Sequence, residues 1–202
     1  MSSPEPGQCW GILGGVFDPI HRGHVRLAEQ IMDKSGLDGI LMVPSCDPPH
    51  RERKPRAPYE ARVEMAELAV AGCPGFAVSR IEATLDNPSF TLETLRAVKA
   101  AYPGVDFRFI IGADNVSQLK TWHRWEDLLK ENKFLVGHRR GADLGFLGEF
   151  REVGMELVET ELFDLSSTEI RRRITEGITT AELAELVSRP VAVYIEREGF
   201  YR

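Results

Sequence analysis

The segment Cys9–His24, C-W-G-I-L-G-G-V-F-D-P-I-H-R-G-H, carries the most specific fold signal in this chain of 202 residues. It begins as a short apolar run, passes through Gly14 and Gly15, and ends in two histidines, His21 and His24. An apolar run that ends in glycines before a helix start is typical of a buried parallel strand. Glycines let the backbone approach an anion closely, and the free N–H groups of the following helix favour negative charge. The stretch therefore predicts an anion-binding turn between a strand and a helix.

Similar apolar runs recur along the chain between helical patterns. The predicted strands are Trp10–Leu13, Gly39–Val43, Phe76–Val78, Phe107–Ile111, Phe134–Val136 and Leu157–Val158. Between them, apolar residues spaced by three and four predict amphipathic helices, as at Val25, Ala28 and Met32. This alternation predicts an α/β fold, a Rossmann-like, doubly wound, mostly parallel sheet with helices on both faces and a C-terminal helical segment. Ligands of such sheets bind at the carboxyl ends of the strands.

Composition limits the class of protein. With 43% hydrophobic and 28% charged residues, the chain can bury an ordinary core. Its net charge of −6 argues against an extended nucleic-acid surface. No apolar run is long enough to span a membrane, and the first residues lack a signal-peptide pattern, so we expect a soluble, cytoplasmic protein. The three cysteines lack paired spacing, which argues against disulfides and a zinc site.

Length predicts one domain over residues 1–202, with an α/β core at 9–160 and a second motif and helices at 165–202. Composition leaves the oligomeric state open, and a homo-oligomer is compatible with it. The connection Pro44–Pro58 holds five prolines and cannot be a regular element, so we expect a surface loop of the kind that carries function.

Each histidine or glycine signal also has an ordinary explanation. Two glycines alone indicate a turn, and histidines three apart are compatible with half of a metal site or with an exposed pair. The ordered combination of strand, Gly14-Gly15, Asp18-Pro19 and His21-Arg22-Gly23-His24 is far more restrictive. No P-loop or dinucleotide fingerprint is present.

A second motif, Leu165–Arg171, predicts the start of a helix. Ser166, Ser167 and Thr168 can cap it, and their hydroxyls can converge with Arg171 on an anion. The alternative is an ordinary capped helix with an exposed arginine run. Further candidates are Gly112 and Asp114 at a strand end, where a carboxylate can accept from ribose hydroxyls, and the paired Trp122 and Trp125, which are core residues unless one stacks on a ring.

With both motifs in place, the chain resembles the nucleotidylyltransferase superfamily and, within it, the bacterial nicotinate-nucleotide adenylyltransferases. The resemblance covers about residues 11–201 and includes 44–51 (Pro-Ser-Cys-Asp-Pro-Pro-His-Arg), 88–95, 109–115, 121–125 and 191–201. It implies catalytic roles for His21, His24 and Arg171. The implied ATP-binding residues are Gly14, Gly15, Val16, Phe17, His21, Gly23, His24, Gly112, Asp114, Ser166, Ser167, Thr168 and Arg171. Those implied for nicotinate mononucleotide are Asp18, Pro49, His50, Arg51, Thr91 and Trp122.

The implied reaction joins ATP and nicotinate mononucleotide into nicotinate adenine dinucleotide and pyrophosphate, with Mg²⁺ held mainly by the ATP phosphates. Trp122 would stack on the pyridine ring, and Trp125 would serve packing. The chain departs from the family pattern at Val16, at Arg51 where lysine is usual, and at 137–141 (Gly-His-Arg-Arg-Gly), which bears on affinity rather than on reaction type.

Four other functions compete with this interpretation. A phosphopantetheine adenylyltransferase shares both motifs but is usually shorter and lacks the Pro-Pro-His loop and the paired tryptophans. A cytidylyltransferase shares both motifs as well. A binding module would hold ATP without releasing pyrophosphate, and an aminoacyl-tRNA synthetase fragment would need a larger chain and a basic surface.

Overall fold

The computed structural model of the chain describes residues 3–48, 54–86, 88–138, 145, 150, 154–161 and 165–202. Its strands are β1 (Cys9–Gly15), β2 (Gly39–Pro44), β3 (Phe76–Val78), β4 (Asp106–Gly112), β5 (Lys133–His138) and β6 (Met155–Glu159). They form one sheet in the order β3-β2-β1-β4-β5-β6, and every neighbouring pair is parallel. All six predicted strands are confirmed. Five of the six extend beyond the predicted bounds, by one to three residues in total, because backbone pairing continues past the apolar run that marks each strand.

Eight α-helices lie within the described residues. They are α1 (Arg22–Lys34), α2 (Tyr59–Val70), α3 (Thr91–Ala101), α4 (Ala113–Val116), α5 (Trp125–Glu131), α6 (Ser167–Thr175), α7 (Thr180–Leu186) and α8 (Arg189–Glu198). Short 3₁₀ helices cover Ile81–Thr84 and Leu119–Thr121. The helix expected between the last two strands falls in 139–153, where the structure describes Gly145 and Phe150 alone. The separation of the chain at 160–165 into core and C-terminal helices stays a prediction.

Each face of the sheet carries its own core, as side chains alternate along every strand. One face packs against α1, α2, α6, α7 and α8, and its strand residues include Leu13, Ile40, Met42 and Phe76. The other face packs against α3, α4 and α5, and its strand residues include Trp10, Ile12, Leu41 and Val43. The predicted doubly wound α/β fold is therefore confirmed.

The strand order places the topological switch between β1 and β4. The chain runs outward from β1 to β3 and then returns to β4 on the other side of β1. The connections that leave these two strands diverge to opposite faces, which opens a crevice at their carboxyl ends. The segment after β1 and the start of α4 both border this crevice.

Among the helices that the structure describes, none combines the length and apolar character needed to cross a membrane.

Candidate active site

The first motif forms the turn between β1 and α1. Gly14 is exposed at the end of the strand, and Gly15 lies directly against the ring of Phe17. A Cβ at Gly15 would approach that ring to 2.7 Å, so any side chain there would displace a buried aromatic group. Phe17 itself has φ of +51°, which turns the chain sharply after the half-buried Val16. The turn therefore exposes the backbone of Gly14 at the carboxyl edge of the sheet, where a phosphate can approach it closely.

His21 and His24 stack on each other at the start of α1. Their ring centroids are 3.7 Å apart with planes inclined by 23°, and Phe17 packs edge-on against His24. The backbone N–H of His21 donates to Nδ1 of His24 over 3.2 Å. Since Nδ1 is an acceptor, neutral His24 carries its proton on Nε2. The helix start therefore selects the tautomer in which Nε2 is a donor.

Burial keeps both imidazoles neutral. It lowers the pKa of His21 to about 4, and burial together with the neighbouring His21 lowers the pKa of His24 well below its usual range. Nδ1 of His21 is buried without a hydrogen-bond partner among the described residues, which is uncommon for a buried polar atom. Perturbed and unsatisfied groups of this kind concentrate at functional sites.

The second motif forms the start of α6. Oγ of Ser166 accepts from the backbone N–H of Glu169 over 3.2 Å, which confirms the predicted cap. The carboxylate of Glu169 accepts from Arg172 and Arg173, and these bonds lower its pKa to about 2. Two members of the arginine run therefore pair with their own helix at the surface. Arg171, with a side chain only 14% exposed, turns instead toward the first motif.

Two hydrogen bonds join the motifs directly. Oγ of Ser167 donates to the carbonyl of Pro19 over 3.0 Å, and Nη1 of Arg171 donates to the carbonyl of Asp18 over 2.6 Å. A third bond, from Nη2 of Arg171 to Oγ1 of Thr168 over 3.1 Å, orients the guanidinium. The starts of α1 and α6 therefore share the turn after β1, although 148 residues separate Ser167 from Pro19.

Asp18 lies at the centre of this turn, and the protein itself satisfies its carboxylate. It is 3% exposed and accepts from the backbone N–H groups of Arg56 and Ala57, over 2.9 and 3.1 Å. It also accepts from the hydroxyl of Tyr201 over 2.9 Å. Burial and the adjacent Asp18 raise the pKa of Tyr201, so the phenol stays a donor. Contact of Asp18 with a pyridine nucleotide stays a prediction.

Gly112 and Asp114 lie across the crevice, at the end of β4. The carboxylate of Asp114, exposed in the first turn of α4, lies against Gly112 so closely that a Cβ at Gly112 would collide with its Oδ1. Because β4 is the parallel neighbour of β1, this carboxylate lies at the same edge as the histidines. It can accept from ribose hydroxyls there.

The segments around Thr91 and Trp122 meet at the start of α3. Thr91 is the first residue of that helix, and the preceding Phe90 stacks on His123 with centroids 4.1 Å apart. Trp122 is half-buried and packs edge-on against Phe109, with centroids 6.4 Å apart. Trp125 packs against the same core cluster. The structure therefore brings these two predicted pyridine-site segments together.

Three predicted site residues, Pro49, His50 and Arg51, lie outside the described residues, as do Arg139 and Arg140. The described flank at Ser45 is attached to the first motif, because its N–H donates to the carbonyl of Gly15 over 2.8 Å.

Sequence reasoning missed three buried polar residues that border the site, Arg62, Glu82 and Tyr201. Glu82 is 5% exposed and accepts from the N–H of Cys46 and the hydroxyl of Thr94, and burial raises its pKa. Arg62 lies on α2 and Glu82 on a 3₁₀ helix, where a charged side chain is normally expected to be exposed. No signal in a single sequence therefore marks either residue as buried. Among the described residues, no group of three or more His, Cys, Asp or Glu side chains is placed to hold a metal ion.

Comparisons with known proteins identify the family of the chain. The model of the cytidylyltransferase-like family matches residues 12–173. A protein of Rubrobacter xylanophilus named "Probable nicotinate-nucleotide adenylyltransferase" is 42% identical over 198 residues, covering 95% of this chain and 91% of the relative. A protein of Geobacillus thermodenitrificans with the same name is 38% identical over 193 residues, covering 95% and 85%.

A solved structure shares the fold. The nicotinic acid mononucleotide adenylyltransferase of Plasmodium falciparum, complexed with NaAD, superposes with a TM-score of 0.79 at 20% identity, covering 96% of this chain and 97% of that chain. At this identity the likeness concerns the fold alone, whereas the curated relatives match over nearly the whole sequence. The chain therefore belongs to the nicotinate-nucleotide adenylyltransferases, within the cytidylyltransferase-like family.

Proposed function

We propose that this chain transfers the adenylyl group of ATP to nicotinate mononucleotide, forming nicotinate adenine dinucleotide and pyrophosphate. Membership of the family supports the reaction class. The observation that carries the proposal is the direct bonding of Ser167 and Arg171 to the turn that precedes His21 and His24. Two helix starts, with their N–H groups and positive dipole ends, therefore border one space in which a polyphosphate can lie.

The attacking group needs no base from the protein. A phosphate monoester has a second pKa of about 6, so the phosphate of nicotinate mononucleotide is largely ionised at neutral pH. One of its oxygens forms a bond to the α-phosphorus of ATP, the bond to the bridging oxygen of the β-phosphate breaks, and pyrophosphate leaves with that electron pair. No covalent enzyme intermediate is required. Catalysis then consists of positioning and charge stabilisation.

Donors on both sides of the polyphosphate carry this stabilisation. The backbone of Gly14, Gly15, Val16 and Phe17 borders the phosphates, and Gly23 lies between the two histidines in the first turn of α1. His24 donates from Nε2 and, with His21, acts on the α- and β-phosphates as charge shifts to the leaving group. Ser166, Ser167, Thr168 and Arg171 act from α6. Mg²⁺ enters as part of the substrate MgATP, held mainly by phosphate oxygens.

The two ends of the dinucleotide would occupy the flanks of the crevice. Asp114, beside Gly112, would accept from the adenosine ribose. Trp122 would stack on the pyridine ring, and the start of α3 at Thr91 offers N–H groups suited to the nicotinate carboxylate. Asp18, Pro49, His50 and Arg51 complete the set proposed for nicotinate mononucleotide.

The test is pyrophosphate release from MgATP with four parallel acceptor conditions: nicotinate mononucleotide, nicotinamide mononucleotide, phosphopantetheine and no acceptor. We expect release with nicotinate mononucleotide and formation of one dinucleotide per pyrophosphate. Pyrophosphate release with phosphopantetheine alone would support the proposed phosphate site and contradict nicotinate mononucleotide as the acceptor. ATP binding without pyrophosphate release under any of the four conditions would identify a binding module.

A further inference from the structure

A buried arginine on α2 connects three segments at the carboxyl edge of the sheet. Arg62 is 1% exposed, and all three guanidinium nitrogens donate to backbone carbonyls. Nη1 donates to Val16 over 2.6 Å, Nη2 to Cys46 over 3.3 Å and Nε to Ala57 over 3.3 Å. Val16 follows β1, Cys46 follows β2, and Ala57 precedes α2. One side chain therefore links the ends of two paired strands, β1 and β2, to the segment that precedes α2.

Buried carboxylates hold two of these segments from the opposite side. The N–H of Ala57 donates to Oδ1 of Asp18 over 3.1 Å, and the N–H of Cys46 donates to Oε2 of Glu82 over 2.8 Å. At both Cys46 and Ala57, the backbone N–H is thus bound to a carboxylate and the carbonyl to the guanidinium of Arg62. The backbone on each side of the connection between β2 and α2 is held in one place relative to the first motif.

The guanidinium holds three carbonyls in one arrangement, at the cost of a buried charge. Burial lowers the pKa of Arg62, and an apolar side chain of similar volume would avoid that cost but would leave the three carbonyls without their donor. Among the described residues no carboxylate lies within ion-pair distance of Arg62, so its bonds are all to carbonyls. The planar guanidinium holds its three carbonyl partners in a fixed arrangement, which an apolar side chain cannot do.

We propose that Arg62 is a positioning residue of the adenylyl-transfer reaction, setting the place of the Val16 backbone and of the Cys46 and Ala57 flanks relative to the bound nucleotides. This inference rests on the proposed function. Arg62 acts through these carbonyls and touches no substrate. Since in-line transfer depends on alignment, a displacement of about 1 Å by a mutation away from the reacting atoms lowers the rate about 100-fold.

Two variants and one matched control test the proposal. Arg62→Met keeps an unbranched side chain and removes every donor, whereas Arg62→Lys keeps the charge but not the fork. Val70→Ala is the control, because Val70 is equally buried at the other end of α2, away from the three segments. For each protein, kcat and the KM of both substrates are measured per folded molecule, together with the melting temperature and circular dichroism.

We expect Arg62→Met to lower kcat/KM about 100-fold, mostly through kcat, and Arg62→Lys to recover only part of this loss. Val70→Ala should lower the melting temperature while leaving kcat and both KM values unchanged. Arg62 variants that keep the kcat of the control, an Arg62→Lys protein equal to wild type, or two Arg62 variants that fail to fold would each overturn a positioning role. A wild-type protein that releases no pyrophosphate would instead contradict the proposed function.

Discussion

His24 uses one ring nitrogen to receive the N–H of its own helix start, and this bond determines what the other nitrogen can do. With Nδ1 occupied as an acceptor, Nε2 carries the proton of the neutral ring. The stacked partner His21, only 3.7 Å away, opposes protonation of both rings in the free protein. The pair therefore presents uncharged donors, which gain strength as negative charge develops on a phosphate.

Replacing His24 tests this donor role. We expect His24→Ala to lose about 100- to 1000-fold in turnover, the usual cost of one transition-state donor, while the protein stays folded. Turnover at saturating MgATP and nicotinate mononucleotide, with circular dichroism as the check on folding, measures the effect. Arg26→Ala, on the exposed side of the same helix, is the control and should keep full turnover. A fully active His24→Ala enzyme would refute the role.

The lowered pKa of His21 predicts how stability depends on pH. Unfolded His21 binds a proton as the pH falls through 6.5, whereas folded His21 does so only near pH 4. Between these values protons favour the unfolded state, so this residue makes stability fall as the pH decreases through that window. In His21→Asn this contribution is absent, and asparagine suits the N-cap position of α1 that His21 occupies. The urea midpoint of wild type should therefore fall relative to that of His21→Asn from pH 6.5 to 4, and a constant difference would contradict the prediction.

At the scale of elements, α6 separates three adjacent arginines by their direction. Arg172 and Arg173 lie on the exposed face and bind Glu169, whereas Arg171, one position earlier, reaches the carbonyl of Asp18. The difference follows from helical geometry, since neighbouring residues point about 100° apart. Arg171 is thereby the member of the run that reaches the turn before α1.

Substitution along this helix should separate the roles. Arg171→Lys keeps a charge but loses the forked contact to Asp18 and Thr168, and we expect kcat/KM for ATP to fall about ten- to a hundredfold. Arg172→Lys should change neither kinetics nor stability measurably, because exposed ion pairs contribute little. Steady-state kinetics of the two proteins, side by side, make the comparison. Equal losses in both would contradict a specific role for the contact of Arg171 with the turn.

At the scale of the whole molecule, the end of the chain returns to its first functional turn. Tyr201, after α8, donates to Asp18 across 183 positions of sequence. Its backbone carbonyl accepts from Thr175 of α6, so the C-terminal segment is tied both to the turn and to the helix that carries Arg171. The C-terminal helices thereby support the site as well as the core.

Removal of the Tyr201 hydroxyl tests the contribution of its hydrogen bond to Asp18. Tyr201→Phe keeps the ring but leaves the buried carboxylate of Asp18 with one donor fewer, and we expect a loss of about 1 to 3 kcal/mol in the free energy of unfolding. The midpoint of urea denaturation measures it. Tyr194→Phe, half-buried on α8, is the matched control and should leave the midpoint in place. Equal midpoints for Tyr201→Phe and wild type would show that the bond contributes nothing to stability.

The sequence predicted the secondary structure and the motifs well, because both depend on residues close together in the chain. Strand positions follow from short apolar runs between glycines and prolines, and the cap of α6 follows from Ser166 and its neighbours. The burial of Arg62 and Glu82 could not be predicted in this way. Their side chains are charged, and whether a charge is buried depends on carbonyl and N–H groups supplied by segments far away in sequence.

The α/β class, the six strands and the places of the two motifs at the starts of α1 and α6 could be predicted from the sequence, since hydrophobic periodicity, glycines and capping residues act locally. Packing of distant segments is needed for Arg171 to reach Asp18 and for Arg62 to bind three segments, and neither contact follows from the local sequence. These features depend on distances of about 3 Å between groups up to 153 positions apart. Such distances arise only when the sheet and both layers of helices have packed.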